Sequence, residues 1–170
     1  GQQFLGYVMP ERAWLAFEGI MMQVDEDGLL NGECLPSRKA QTAWMLYCLK
    51  KDKEKLAKVY PPIKRYLFWR EKNPRWIYGS YDNPDEKSAH FVDQLLVDID
   101  YAVKIAEELG IQQDINMWNK RRKNILSNYR KWFFHEGKDP IDGYFVNSGG
   151  MRRSSPFTMI AGLHIHDIPE

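Results

Sequence analysis

The sequence predicts an all-α protein of stacked αα-hairpins, a single helical domain over residues 1–170. Three observations predict it. Apolar residues recur at spacings of three and four in five separate segments, the period of a helix. The links between those segments alternate short and long, as in antiparallel helix pairs whose long loops gather at one end. The chain has 170 residues, 44% of them hydrophobic and 28% charged, enough for one buried core.

The elements follow in order. Pro10 suits a first helical turn, and Ala13, Trp14, Phe17, Ile20 and Met21 form the first apolar stripe. Asp25-Glu26-Asp27-Gly28 is a turn signal that ends it. A second turn segment, Asn31 to Pro36, leads to Ser37, the expected N-cap of a helix with Ala40, Ala43, Trp44, Tyr47 and Cys48 inward. Asp52 caps a third helix with the stripe Leu56, Val59, Tyr60, Ile63, Leu67 and Phe68. Pro61-Pro62 either kinks that helix or starts it afresh, and Asn73-Pro74 ends it. The fourth helix, Glu86 to Leu109, places Phe91, Val92, Leu95, Leu96, Ile99, Ala102, Val103, Ala106 and Leu109 in one broad arc. Val97, Tyr101 and Ile105 fall outside it, so this helix is expected to be buried on more than one side. Gly110 suits its C′ position. A fifth helix runs from about Gln112 to Phe134, with Ile115, Trp118, Ile125, Leu126, Tyr129 and Trp132 inward. Short β-like runs such as Tyr144-Phe145-Val146 follow.

Composition narrows the function classes. A formal net charge of +1 gives no steering toward nucleic acid or an acidic membrane. No apolar run approaches the ~20 residues of a membrane span. Cys34 and Cys48 have no metal spacing, and their pairing is left open. His164-x-His166-Asp167 puts two possible ligands on one strand face but lacks a clustered third, so no metal is expected. Lys120 to Lys123 form a basic run expected to be a solvated helix face. No phosphate loop or nucleophile elbow occurs, and no cofactor is implied. With neither secretory signal nor initiator Met, the chain reads as a mature chain or a piece of a longer one, and its location in the cell is undetermined.

Chemistry is concentrated in Gly79-Ser80-Tyr81-Asp82-Asn83-Pro84-Asp85-Glu86, where three carboxylates sit in a turn-forming loop just after Trp76 and Tyr78. A sugar-cleaving site needs an acid to protonate the glycosidic oxygen and aromatic faces to stack on the ring, and aromatics make up 14% of this chain. Asp82 is the first candidate acid; the competing role is an Asx-turn. Asp85 and Glu86 stand where a helix N-cap and first residue belong. Glu33, in the other long loop, either reaches a ligand or is a solvated acid. Asp98 falls on the apolar side of the fourth helix, away from the polar arc of Asp93, Asp100, Lys104 and Glu107. It is expected to be buried against an Arg, Lys, Trp or backbone partner.

Several segments resemble the six-hairpin (α/α)6-barrel glycoside hydrolases, the group of trehalases and processing α-glucosidases. Asp27-Gly28-Leu29-Leu30 and a following proline are similar to that family's acidic-glycine loop. Leu56, Tyr60-Pro61 and Ile63-Lys64-Arg65-Tyr66-Leu67, with Trp69, are similar to a helix of the barrel. Gly79-Ser80-Tyr81-Asp82-Asn83 resembles the segment whose Asp is the general acid. Val97-Asp98-Ile99-Asp100-Tyr101 and Ala106-Glu107-Glu108-Leu109-Gly110 resemble the helix after it. The sequence departs from the pattern at Tyr78-Gly79, where an acid usually stands, and at Pro84.

The resemblance implies a segment of an (α/α)6 toroid, with Asp82 as general acid, Trp76, Tyr78 and Tyr81 as stacking platforms and Glu33 as a hydroxyl ligand. A full barrel has twelve helices. The implied partners are therefore a carbohydrate substrate and either the rest of the barrel or another copy. The rival class is a non-catalytic helical-hairpin module that binds a partner or a carbohydrate.

Overall fold

The computed structural model describes residues 2–33, 37–74, 89–135 and 144–145. Six helices lie among them: α1 (Gln2–Val8), α2 (Pro10–Met21), α3 (Lys39–Lys50), α4 (Lys53–Lys72), α5 (Ala89–Leu109) and α6 (Gln112–Phe133). A two-residue antiparallel ladder joins β1 (Phe134–His135) to β2 (Tyr144–Phe145). The all-α, hairpin-stacked class is borne out. The helix α1 is additional to the five expected, because seven residues are too few to show a period.

Local signals account for the short links. Asp52 caps α4, its Oδ1 accepting from the Lys55 N–H at 3.0 Å. Lys51 closes α3 in the left-handed region at φ 55°, its N–H bonded to the Tyr47 carbonyl. Gly110 ends α5 at φ 75°, and Ile111 N–H reaches back to the Ala106 carbonyl. Pro61-Pro62 does not start a fresh helix: α4 continues through both residues. Pro62 is buried and Pro61 exposed, so packing on one face and solvent on the other accommodate a pair that helix propensity alone disfavours.

The helices form two layers. In one, α1 packs beside α3 and α3 beside α5. Small residues permit that approach: Gly6 on α1, where a Cβ would stand 2.8 Å from Leu46, and the fully buried Ala40, Ala43, Ala102 and Ala106 on α3 and α5. In the other layer, α4 and α6 are bridged by long side chains. Trp118 Nε1 donates to the Tyr60 hydroxyl at 3.0 Å, the Trp118 and Phe68 rings stack at 5.1 Å, Lys64 pairs with Asp114 at 2.7 Å, and Arg121 pairs with Glu71.

The helix α5 packs on α3, α4 and α6. Phe91, Val92, Leu95, Leu96, Ile99, Ala102, Ile105 and Ala106 are buried, so burial on more than one side is met within this chain. Three sequence assignments need correction. Cys48 is exposed and Leu46 takes the inward place on α3. Asp93 is buried rather than part of a polar arc. The basic run is only partly a solvated face, since Arg121 and Arg122 pair with Glu71 and Asp100.

The turn after α2 is fixed by Gly28. It has φ 90°, and a Cβ there would lie 2.1 Å from the Arg65 carbonyl oxygen on α4. Arg65 answers by donating to the carbonyls of Val24 and Asp25. Gly28→Ala combines left-handed strain with a backbone clash and should cost roughly 2–4 kcal/mol, read as a lowered denaturation midpoint. A midpoint equal to wild type would refute this account of the turn.

Candidate functional site

The buried polar groups converge where the first turn of α3, the last turns of α4 and the first half of α5 meet. The helix α3 begins without help from its own sequence. Arg38 occupies the N-cap position and offers no side-chain bond, so the expected cap Ser37 is displaced. The carboxylate of Asp98, on α5, supplies the cap instead. Its Oδ2 accepts from Lys39 N–H and its Oδ1 from Gln41 N–H, both at 2.8 Å. These are two of the four N–H groups that a helix start leaves without partners. Asp98 is 2% exposed, as its place on the apolar side of the helix predicts, and its partner is backbone. Burial pushes its carboxyl up to about 6, opposed by the backbone N–H groups of Gln41, Ala40 and Lys39 and by the Lys39 charge, which favour the charged form.

Glu33 comes in from the long α2–α3 loop. Its Oε1 accepts from Lys39 Nζ at 2.6 Å and from Ser37 Oγ at 3.3 Å, and its Oε2 accepts from the Tyr66 hydroxyl at 2.6 Å. Both oxygens are engaged, and the side chain is 11% exposed. The Tyr66 hydroxyl also accepts from Ser37 N–H, and burial followed by the Glu33 charge raises its pKa. Arg70, one turn further along α4, is 3% exposed and donates to the carbonyls of Asn73 and Phe91 at 3.4 and 3.5 Å. Its guanidinium lies 5.4 Å from the Phe91 ring centre. Burial lowers its pKa, and the charges of Glu33 and Asp98 oppose that. Ser37, Tyr66, Arg70, Gln94 and Asp98 together line a cavity of about 10 Å³, the size of one water.

A larger cavity, about 190 Å³, opens between the end of α4, the start of α5 and the second half of α6. Val92, Leu95, Ile125 and Trp132 form its apolar wall, with Glu71 and Asn124 also lining it. Asp93 is buried on α5 nearby in sequence. Burial raises its carboxyl to about 7, and the hydroxyl of Tyr129 on α6 offsets only part of that.

Of the residues expected to carry chemistry, Glu33 is in this cluster. Asp82, Trp76, Tyr78 and Tyr81 lie outside the described residues, as do Asp85, Glu86, Cys34, His164, His166 and Asp167. Asp82 belongs to the sequence that joins α4 to α5, and the described ends of both helices are at the cluster. Sequence reasoning missed Tyr66, Arg70 and Lys39. Arg70 had a signal, because it continues the inward spacing of Ile63 and Leu67. Lys39 had none. Among the described residues no group of three acids, histidines or cysteines could hold a metal, and no helix is long and apolar enough to cross a membrane. The chain matches no known family model, no curated protein and no solved structure.

Removing the Asp98 carboxylate strands two buried N–H groups. Asp98→Ala should cost about 1–3 kcal/mol and speed amide exchange in the first turn of α3; an unchanged melting temperature would refute the capping role. Asp93 sets a pH dependence. The folded protein holds this proton to a higher pH than the unfolded chain does. Its contribution to stability is therefore complete below the ordinary carboxylate range and is lost as pH rises through about 7. From pH 8 to pH 5 the protein should gain roughly 2–3 kcal/mol from this group, and Asp93→Asn should remove most of that gain. Equal slopes in the denaturation midpoints of both proteins would overturn it.

Proposed function

We propose that this chain is the acid-bearing segment of a six-hairpin glycoside hydrolase, with Asp82 as the group that protonates the leaving glycosidic oxygen. The carrying observation is the meeting of three helix ends on one buried polar cluster, from which α4 ends and α5 begins around the sequence that holds Asp82. A rigid floor suits the requirement that a catalytic acid be held in place. The two layers support the toroid reading as well. One is drawn close by small residues and the other bridged by long side chains, which suits a stack that curves. The larger cavity mixes a Trp with amide and carboxylate side chains, residue types that bind a sugar's apolar face and its hydroxyls. Trp76, Tyr78 and Tyr81 are the proposed stacking platforms.

A second reading has its own support. Glu33 and Asp98, the acids at the centre of the cluster, are both committed to holding the fold together. That favours a non-catalytic hairpin module, with Glu33 as a brace rather than a hydroxyl ligand. Hydrolysis of a panel of α- and β-aryl glycosides and disaccharides separates the two. The glycosidase reading expects turnover that Asp82→Asn lowers by roughly 10²–10⁴-fold with the fold intact. Turnover that survives Asp82→Asn would remove Asp82 from the chemistry, and sugar binding without turnover would establish the module.

A further inference from the structure

The exposed apolar side chains are not scattered. Tyr7, Val8, Met9, Leu15 and Met22 are five of the six large hydrophobic residues exposed among the described ones, and all five lie on α1, α2 or their immediate ends. Leu15 is 73% exposed and Met22 52%. They share one face of α2 with Ala16 and Gly19, since positions three and four apart fall together on a helix. Gly19 has no packing reason among the described residues: a Cβ there would meet nothing within 4 Å. Gly6, by contrast, gives room to Leu46. A mid-helix glycine costs about 1 kcal/mol relative to alanine. At Gly19 that cost leaves an open notch between two protruding side chains.

Charges of opposite sign stand near the two ends of α2. Arg12, exposed near the start of α2, has no acidic partner among the described residues. Its neighbours Glu11 and Glu18 are turned to α4, where they pair with Lys55 and Lys58. Past the other end of the helix, Glu26 and Asp27 are exposed and likewise make no ion pair among the described residues. A basic group stands at the positive end of the helix dipole, and an acidic turn lies just beyond the opposite end.

We propose that this face of α2 binds the same face of a second copy of the chain, antiparallel, about a two-fold axis near the middle of the helix. In that register Leu15 of one copy enters the notch at Gly19 of the other, and Arg12 lies by the partner's Met22 and its acidic turn. Each contact occurs twice, as a two-fold interface requires. An apolar centre with a charged rim is the ordinary anatomy of such a contact. The proposal goes beyond the glycosidase reading and does not depend on it.

Sedimentation equilibrium of the whole chain over a wide concentration range tests it. A monomer–dimer equilibrium is expected. Leu15→Glu and Gly19→Leu should each give a monomer with an unchanged far-ultraviolet spectrum, although Gly19→Leu improves helix propensity. Arg12→Glu should weaken the dimer roughly tenfold, and Arg12→Glu with Glu26→Arg should restore it. A monomer at every concentration would leave the face to another occupant, such as a further helical hairpin, and overturn the proposal. So would a dimer that survives Leu15→Glu, or a charge reversal that the second reversal does not rescue.

Discussion

The fold depends on one long-range bond set, the Asp98 carboxylate on the first turn of α3. A buried acid among apolar side chains costs free energy unless its oxygens are satisfied. A helix start with no side-chain cap likewise leaves donors exposed. Each defect resolves the other, across 59 residues of sequence. The pairing also fixes how far α3 slides along α5, because a shift of one residue would remove both bonds. Around it, Glu33 ties the α2–α3 loop to α3 and α4 through Lys39 and Tyr66. Glu33, the start of α3 and the end of α4 are thus joined in one bonded cluster.

That bonding bears on what the site can do. The acids held most firmly are the least free to exchange protons with a substrate. Lys39 Nζ and the Tyr66 hydroxyl saturate Glu33, and backbone donors saturate Asp98. The cluster is better understood as a floor than as a set of catalytic groups. Arg70 fits that role, as a buried cation whose bonds are long and made to carbonyls. It evens out the charge of Glu33 and Asp98 without forming a tight pair with either.

Much of the architecture was legible because helix period and cap residues are local signals. Asp52, Gly110 and the apolar spacing of α5 each state their role within a few residues. Asp98 was legible for a related reason: a carboxylate in the wrong arc of a helix announces a buried partner. What the sequence concealed is tertiary. Ser37 looks like a cap but turns to Glu33 and Tyr66, and nothing near Lys39 says that the true cap lies on another helix. Asp93 appeared solvated because its burial comes from α6, an element that a projection of α5 alone does not contain. The proposed acid and its aromatic neighbours were named from motif likeness, which carries no distances.

The unbroken course of α4 through Pro61 and Pro62 has a consequence for how that helix moves. Proline has no N–H to donate, so the carbonyls of Ala57 and Lys58 lack their usual helical donors. At that point the ladder is missing two consecutive rungs. This stretch of α4 is tied to α6 by side chains, Tyr60 to Trp118 and Lys64 to Asp114. Bending is least costly at that point, where the backbone ladder is incomplete. Any bend of α4 would therefore be read in the contacts of Tyr60 and Lys64 with α6.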